Sequence, residues 1–110
     1  MKTNNNFTPS QGLKKLEDLG DKYAALYLQG TLEAGIYKPG AQDDQNPHDR
    51  DELYVVIDGA GDFFCDGVLT SFEKGSLLFV PAGAEHRFIN FSPDFSTWVF
   101  FYGPRAGNKK

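Results

Sequence analysis

A chain of 110 residues, 40% of them hydrophobic, is one domain, residues 1–110, long enough to bury a core without staples. Its formal net charge of −4, with no Lys/Arg cluster except the terminal Lys109-Lys110, argues against nucleic acid or an anionic membrane surface as partner. The single cysteine, Cys65, excludes an internal disulfide framework, and no apolar run approaches the length of a membrane helix.

Residues 1–9 are polar, lack the apolar run of a signal peptide, and are expected to be flexible. Cytoplasm is the expected compartment. Residues 10–19 place Leu13, Leu16 and Leu19 at spacings of three and are closed by Gly20, which predicts a short amphipathic helix covering part of a sheet. The period then changes to two. Strands are predicted over 23–28, 31–37, 53–57, 62–65, 68–72, 77–80, 85–91 and 97–102, with a polar loop over 41–47. Asp66-Gly67 between two of these runs is a two-residue hairpin signal. The Pro/Gly/Lys-rich tail, 104–110, is expected to be flexible. Short strands with frequent turns after one helix predict an all-β antiparallel sandwich or small barrel. Ten Phe, five Tyr and one Trp must supply much of its core.

The chain has only two histidines, and each stands at the edge of an apolar strand run. In an extended segment His48, Glu52, Tyr54 and Val56 share one face. On the second segment His86, Phe88 and Asn90 do the same. If the two segments lie side by side, His48, Glu52 and His86 converge. Two imidazoles and one carboxylate, with positions left open, are a set used by non-haem iron, and the same set holds manganese, nickel or zinc.

Those segments resemble the two motifs of the cupin superfamily. Gly75, Pro81, Gly83, His86 and Asn90 stand at every fixed position of the second motif. His48, Glu52 and Gly59 match the first, with Gly40 preceding them, while the place of its first histidine holds Asn46. The resemblance implies a jelly-roll β-barrel with a divalent metal ion (Fe, Mn, Ni or Zn) held by His48, Glu52 and His86. Asn46, Gln45, Asp44 or water would fill the remaining place. It also implies a homodimer, paired through the N-terminal strand or helix.

The remaining candidates are plainer. Tyr54, Phe88 and Trp98 are expected to line the pocket or pack in the core, with Phe100 and Tyr102 on the same face as Trp98. Arg50 and Arg87 are expected as solvated charges near the mouth. Cys65 is expected as a small strand residue rather than a nucleophile. The function expected is that of a small metal-binding cupin with a pocket for a small molecule, of dioxygenase or isomerase/lyase type. Its alternatives are a non-catalytic binding or sensing cupin and a structural jelly roll with a degenerate site.

Overall fold

The computed structural model describes residues 5–43 and 46–104. Helix α1 (Pro9–Leu19) comes first. Eight strands follow: β1 (Tyr23–Gln29), β2 (Leu32–Tyr37), β3 (Asp51–Asp58), β4 (Gly61–Cys65), β5 (Val68–Phe72), β6 (Leu77–Val80), β7 (His86–Ile89) and β8 (Ser96–Tyr102). They form a five-stranded sheet, order β1-β2-β8-β3-β6, and a three-stranded sheet, order β5-β4-β7, with antiparallel pairing throughout. The expected barrel is therefore open. The two sheets face each other as a sandwich and are not closed into one ladder.

The helix begins inside the stretch expected to be flexible, because Thr8 caps it. The Thr8 hydroxyl accepts from the Gln11 N–H while the Gln11 side chain accepts from the Thr8 N–H. Flexibility of 1–4 and 105–110 concerns positions outside the described residues. Only part of the leucine spacing is used: Leu16 is buried, Leu13 is partly buried, and Leu19 is exposed. A strict spacing of three drifts around a helix of 3.6 residues per turn. Through Leu16 the helix packs on Ala24 and Ile36, which face outward from β1 and β2.

Between the sheets lies an aromatic core. The Phe88 ring is its hub, with ring centroids of Phe95, Tyr54, Phe63 and Phe72 at 4.7, 4.9, 5.0 and 5.5 Å. Alternation in β3 sends Glu52, Tyr54 and Val56 inward; in β8 it sends Thr97, Val99 and Phe101 inward. Asp66 and Gly67, both at positive φ, make the β4–β5 hairpin as their sequence predicts.

Gly35 on β2 lets β1 pack closely. A Cβ added there would lie 2.5 Å from the Ala24 carbonyl oxygen and 2.6 Å from the Tyr23 ring and hydroxyl. Gly35→Ala should therefore destabilise the fold by about 2 kcal/mol, as overpacking against backbone does. Urea melts check this, and a change below about 0.5 kcal/mol would contradict the packing described.

Candidate metal centre

The site is assembled by two loops that tie to each other. After β6 the chain turns through Pro81, Ala82, Gly83 and Ala84, closed by Ala84 N–H donating to the Pro81 carbonyl at 3.1 Å. Gly83 sits at φ 84°, the positive angle that the third position of such a turn demands. The turn then reaches the segment before β3. Gly83 N–H donates to the His48 carbonyl at 2.7 Å, and Ala82 N–H donates to the Asp51 carboxylate at 2.9 Å.

The sequence expectation placed His48 on an extended run with Glu52 and set the two segments side by side. Instead β3 begins only at Asp51, and His48 lies in the loop before it. Glu52 and His86 belong to opposite sheets and meet across the interior. His48 joins them through the backbone tie to Gly83 rather than by strand alternation.

The three side chains do converge. Glu52 Oε1 lies 3.5 Å from His86 Nε2 and 3.8 Å from His48 Nε2, and one ligand atom from each residue falls within 4.8 Å of the others. These separations are too long for good hydrogen bonds. They come close to the roughly 3.0–3.5 Å between neighbouring donors that each bind one ion at about 2.1 Å.

The orientation of each ligand has a cause. His86 Nδ1–H donates to the Ala84 carbonyl at 3.0 Å, which leaves the Nε2 lone pair facing the cluster. The Tyr54 hydroxyl donates to the Glu52 carboxylate. Glu52 Oε1 and His86 Nε2 are buried and have no hydrogen-bond partner. Two buried polar atoms of this kind are costly unless something binds them, and a cation between them satisfies both. The residues present therefore fit a divalent ion.

Burial disfavours charge at all three groups. It pushes the Glu52 carboxyl up to about 7, against a partial opposing effect from the Tyr54 hydrogen bond. It lowers both imidazoles, with His86 and Arg50 adding to the effect at His48. Neutral imidazoles are the form that binds metal.

A cavity of about 340 Å³ opens beside the cluster, lined by Tyr23, Tyr37, His48, Arg50, Glu52, Tyr54, Val99 and Phe101. Arg50 is half-buried rather than solvated. Its guanidinium donates to Glu33 at 3.0 Å and sits over the Phe101 ring at 4.9 Å. The Tyr23 hydroxyl donates to the other Glu33 oxygen at 2.7 Å.

The other candidates separate. Tyr54 lines the cavity. Phe88 lies deeper, at the centre of the core. Trp98 points the opposite way, out of the sheet, and packs with the Leu16 cluster. Even positions of β8 share one face, as expected, but that face is the outer one. Asn46 is exposed and does not line the cavity, while Asp44 and Gln45 lie outside the described residues. Asn90 turns out of β7 at φ 54° and donates to Asp62. Arg87 is exposed, and burial raises the Cys65 thiol, consistent with an inert strand residue.

Sequence reasoning missed Tyr23, Glu33, Tyr37 and Asp43. Asp43 is buried and accepts from the Tyr37 hydroxyl at 2.7 Å and from Phe88 N–H at 2.8 Å, anchoring the long loop to β7. Nothing distinguished it within a polar loop; the inward parity of Tyr23 and Tyr37 was the available signal for those two.

Residues 35–102 match the family described as Cupin_2, cupin domain. The chain is a cupin. A curated relative, the uncharacterized protein SCO3923 of Streptomyces coelicolor, is 31% identical over 86 residues, covering 76% of this cupin and 82% of its own length. KdgF from a Halomonas species has a similar structure, with TM-score 0.64 and 20% identity, covering 77% of this cupin and 80% of that chain. The EutQ protein of Clostridium difficile aligns with TM-score 0.61 and 26% identity over 76% and 67% of the two chains. These likenesses place the open sandwich among cupin jelly rolls. Among the described residues, no helix is long and apolar enough to cross a membrane.

The pH dependence of the metal-free protein follows from Glu52, whose folded value of about 7 exceeds its ordinary 4.5. Burying the neutral acid contributes stability that is fully present below the ordinary value and lost as pH rises through about 7. Glu52→Gln escapes that loss. Relative to wild type, the variant should gain up to about 3 kcal/mol between about pH 4.5 and pH 8, read from urea melts in chelator. The imidazole contributions run the opposite way, lost as pH falls, and largely cancel because both proteins carry them. A difference that stays flat across this range would overturn the assignment.

Proposed function

We propose that this cupin holds one divalent metal ion with His48, Glu52 and His86 and receives a small molecule in the adjoining cavity. The observation that carries this reading is the pair of buried, unpartnered atoms, Glu52 Oε1 and His86 Nε2, turned toward each other with His48 beside them. Three protein donors leave coordination positions open for water or substrate, as in non-haem iron sites; manganese, nickel and zinc accept the same donors.

A bound ion would supply Lewis acidity and, if redox-active, a centre for oxygen chemistry. The protein's own residues do the rest. The Ala84 carbonyl fixes the tautomer of His86, and Tyr54 fixes the carboxylate plane of Glu52. Tyr37, Val99 and Phe101 offer a largely apolar wall to the ligand body. Arg50 is matched in charge by Glu33. With Glu52 ionised and the Asp43 carboxylate acting on Glu52 and both imidazoles, a divalent ion would bring the site close to neutrality.

Metal analysis of protein purified without a chelating tag tests the centre. Wild type should carry close to one ion per chain and His86→Ala close to none. Glu52→Gln should weaken binding more than Asn46→Ala, because it removes the only carboxylate charge in the set. Equal losses in those two variants would make Asn46 a ligand. Equally empty wild type and His86→Ala, after growth with ample metal, would end the metal reading. Oxygen uptake with thiols, diketones and catechols then separates an oxygenase from a protein that only binds, which would instead show a thermal shift with one small molecule and no turnover.

A further inference from the structure

We infer that Tyr23 and Arg50, held side by side by the Glu33 carboxylate, form a recognition site in the cavity wall for a hydroxyl group of an uncharged ligand. The inference rests on reading this cavity as a small-molecule pocket, and adds to it a polar contact apart from the metal ligands. Three elements build the site: Tyr23 opens β1, Glu33 stands on β2, and Arg50 ends the loop before β3. Glu33 Oε2 accepts from the Tyr23 hydroxyl at 2.7 Å, and Oε1 accepts from Arg50 Nη2 at 3.0 Å. The covalent width of one carboxylate therefore sets the two groups next to each other. Phe101 braces both. Its ring lies 4.9 Å from the guanidinium and meets the Tyr23 ring edge-on at 6.1 Å. The Arg50 and Glu33 side chains are only 18% and 20% exposed, so water does little to screen their pairing. Register aligns Glu33, Phe101 and Glu52 in one cross-strand row. The site thus stands two strand spacings, roughly 10 Å, from the carboxylate of the metal centre, at the other side of the same cavity.

The balance of donors and acceptors selects the ligand group. A tyrosine hydroxyl has a single proton, and that of Tyr23 goes to Glu33. Burial and the Glu33 hydrogen bond push its ionisation above the ordinary tyrosine range, so the proton stays. Toward the cavity the Tyr23 oxygen therefore offers lone pairs only. Arg50 offers the reverse: a guanidinium has donors and no acceptor, and the charge of this one is already matched by Glu33. A ligand hydroxyl satisfies both, donating to Tyr23 Oη and accepting from an Arg50 N–H. A carboxylate has no proton for Tyr23 and meets the charge of Glu33. An ammonium has no lone pair for Arg50 and meets its charge. Either ion leaves one group of the wall desolvated without a partner, the mismatch by which a polar site rejects analogues.

Benzyl alcohol, benzylamine and benzoate share one ring and differ in the group attached to it. NMR titration of the full chain near neutral pH ranks them, in chelator so that no ion competes for the carboxylate. Benzyl alcohol should bind about ten times more tightly than either ion, the worth of one well-placed hydrogen bond. Tyr23→Phe should abolish that margin while keeping wild-type circular dichroism. Glu33→Gln should reverse it in favour of benzoate, because Arg50 loses its matching charge; a Glu33 that merely supports the fold would not give this reversal. Benzoate or benzylamine binding wild type as tightly as the alcohol would overturn the assignment. So would a margin that survives Tyr23→Phe, or no detectable binding of any of the three. Metal content takes no part in this ranking. An empty centre with the margin intact counts against the metal reading alone, and a filled centre without the margin counts against this site alone.

Discussion

The hydrogen bond from Gly83 N–H to the His48 carbonyl is the constraint on which the functional half of this cupin depends. Among the described residues no strand ladder joins the two sheets. Where the site lies, their relative placement is held by this bond, by its companion from Ala82 to Asp51, and by the rings between the sheets. The Pro81–Gly83 turn acts in two directions. Its backbone N–H groups fasten the start of β3, and the carbonyl of Ala84 just beyond it sets the tautomer of His86. A ligand from a loop, one from the first turn of a strand and one from the opposite sheet are held together by backbone groups. Side-chain substitutions elsewhere disturb such groups least.

Within that frame Glu52 is the group that costs most. A buried carboxyl without a cation is held neutral up to about 7, its Oε1 without a partner. The surrounding structure does little to relieve this. Arg50, the nearest guanidinium, is already committed to Glu33 and to the face of Phe101. The arrangement is destabilising as a purely structural device and sensible as a ligand set, since a bound cation turns the desolvated carboxylate into an asset.

What was legible in the sequence follows from how local each signal is. The strand runs, the Asp66-Gly67 hairpin and the His86 turn depend on a few adjacent residues, and the structure has them at the expected places. Glu52 and Tyr54 point inward because β3 alternates as its sequence does. His48 converges with Glu52 and His86, but not by the strand alternation that the expectation used: alternation fails before Asp51, and a long-range backbone bond brings the ring in. Asp43 and Glu33 were invisible, because each is defined by a partner distant in sequence, Phe88 and Arg50.

The misassigned face of β8 is more instructive. Trp98, Phe100 and Tyr102 read as interior, yet the alternate set, Thr97, Val99 and Phe101, is the one that faces in. In an antiparallel sheet with one wet face the polar set marks the outside, and here no polar set exists. Trp98 went to the wrong side of the sheet for that reason. Its real neighbours are Leu16 of α1 and Ile36 of β2, in a cluster that Ile57 of β3 also joins, while most contacts of α1 fall on β1 and β2. A strand apolar on both faces requires cover on both. The core covers one, and the helix covers only part of the other. The ambiguity that hid the pocket face of β8 is thus a physical trace of the uncovered surface behind it.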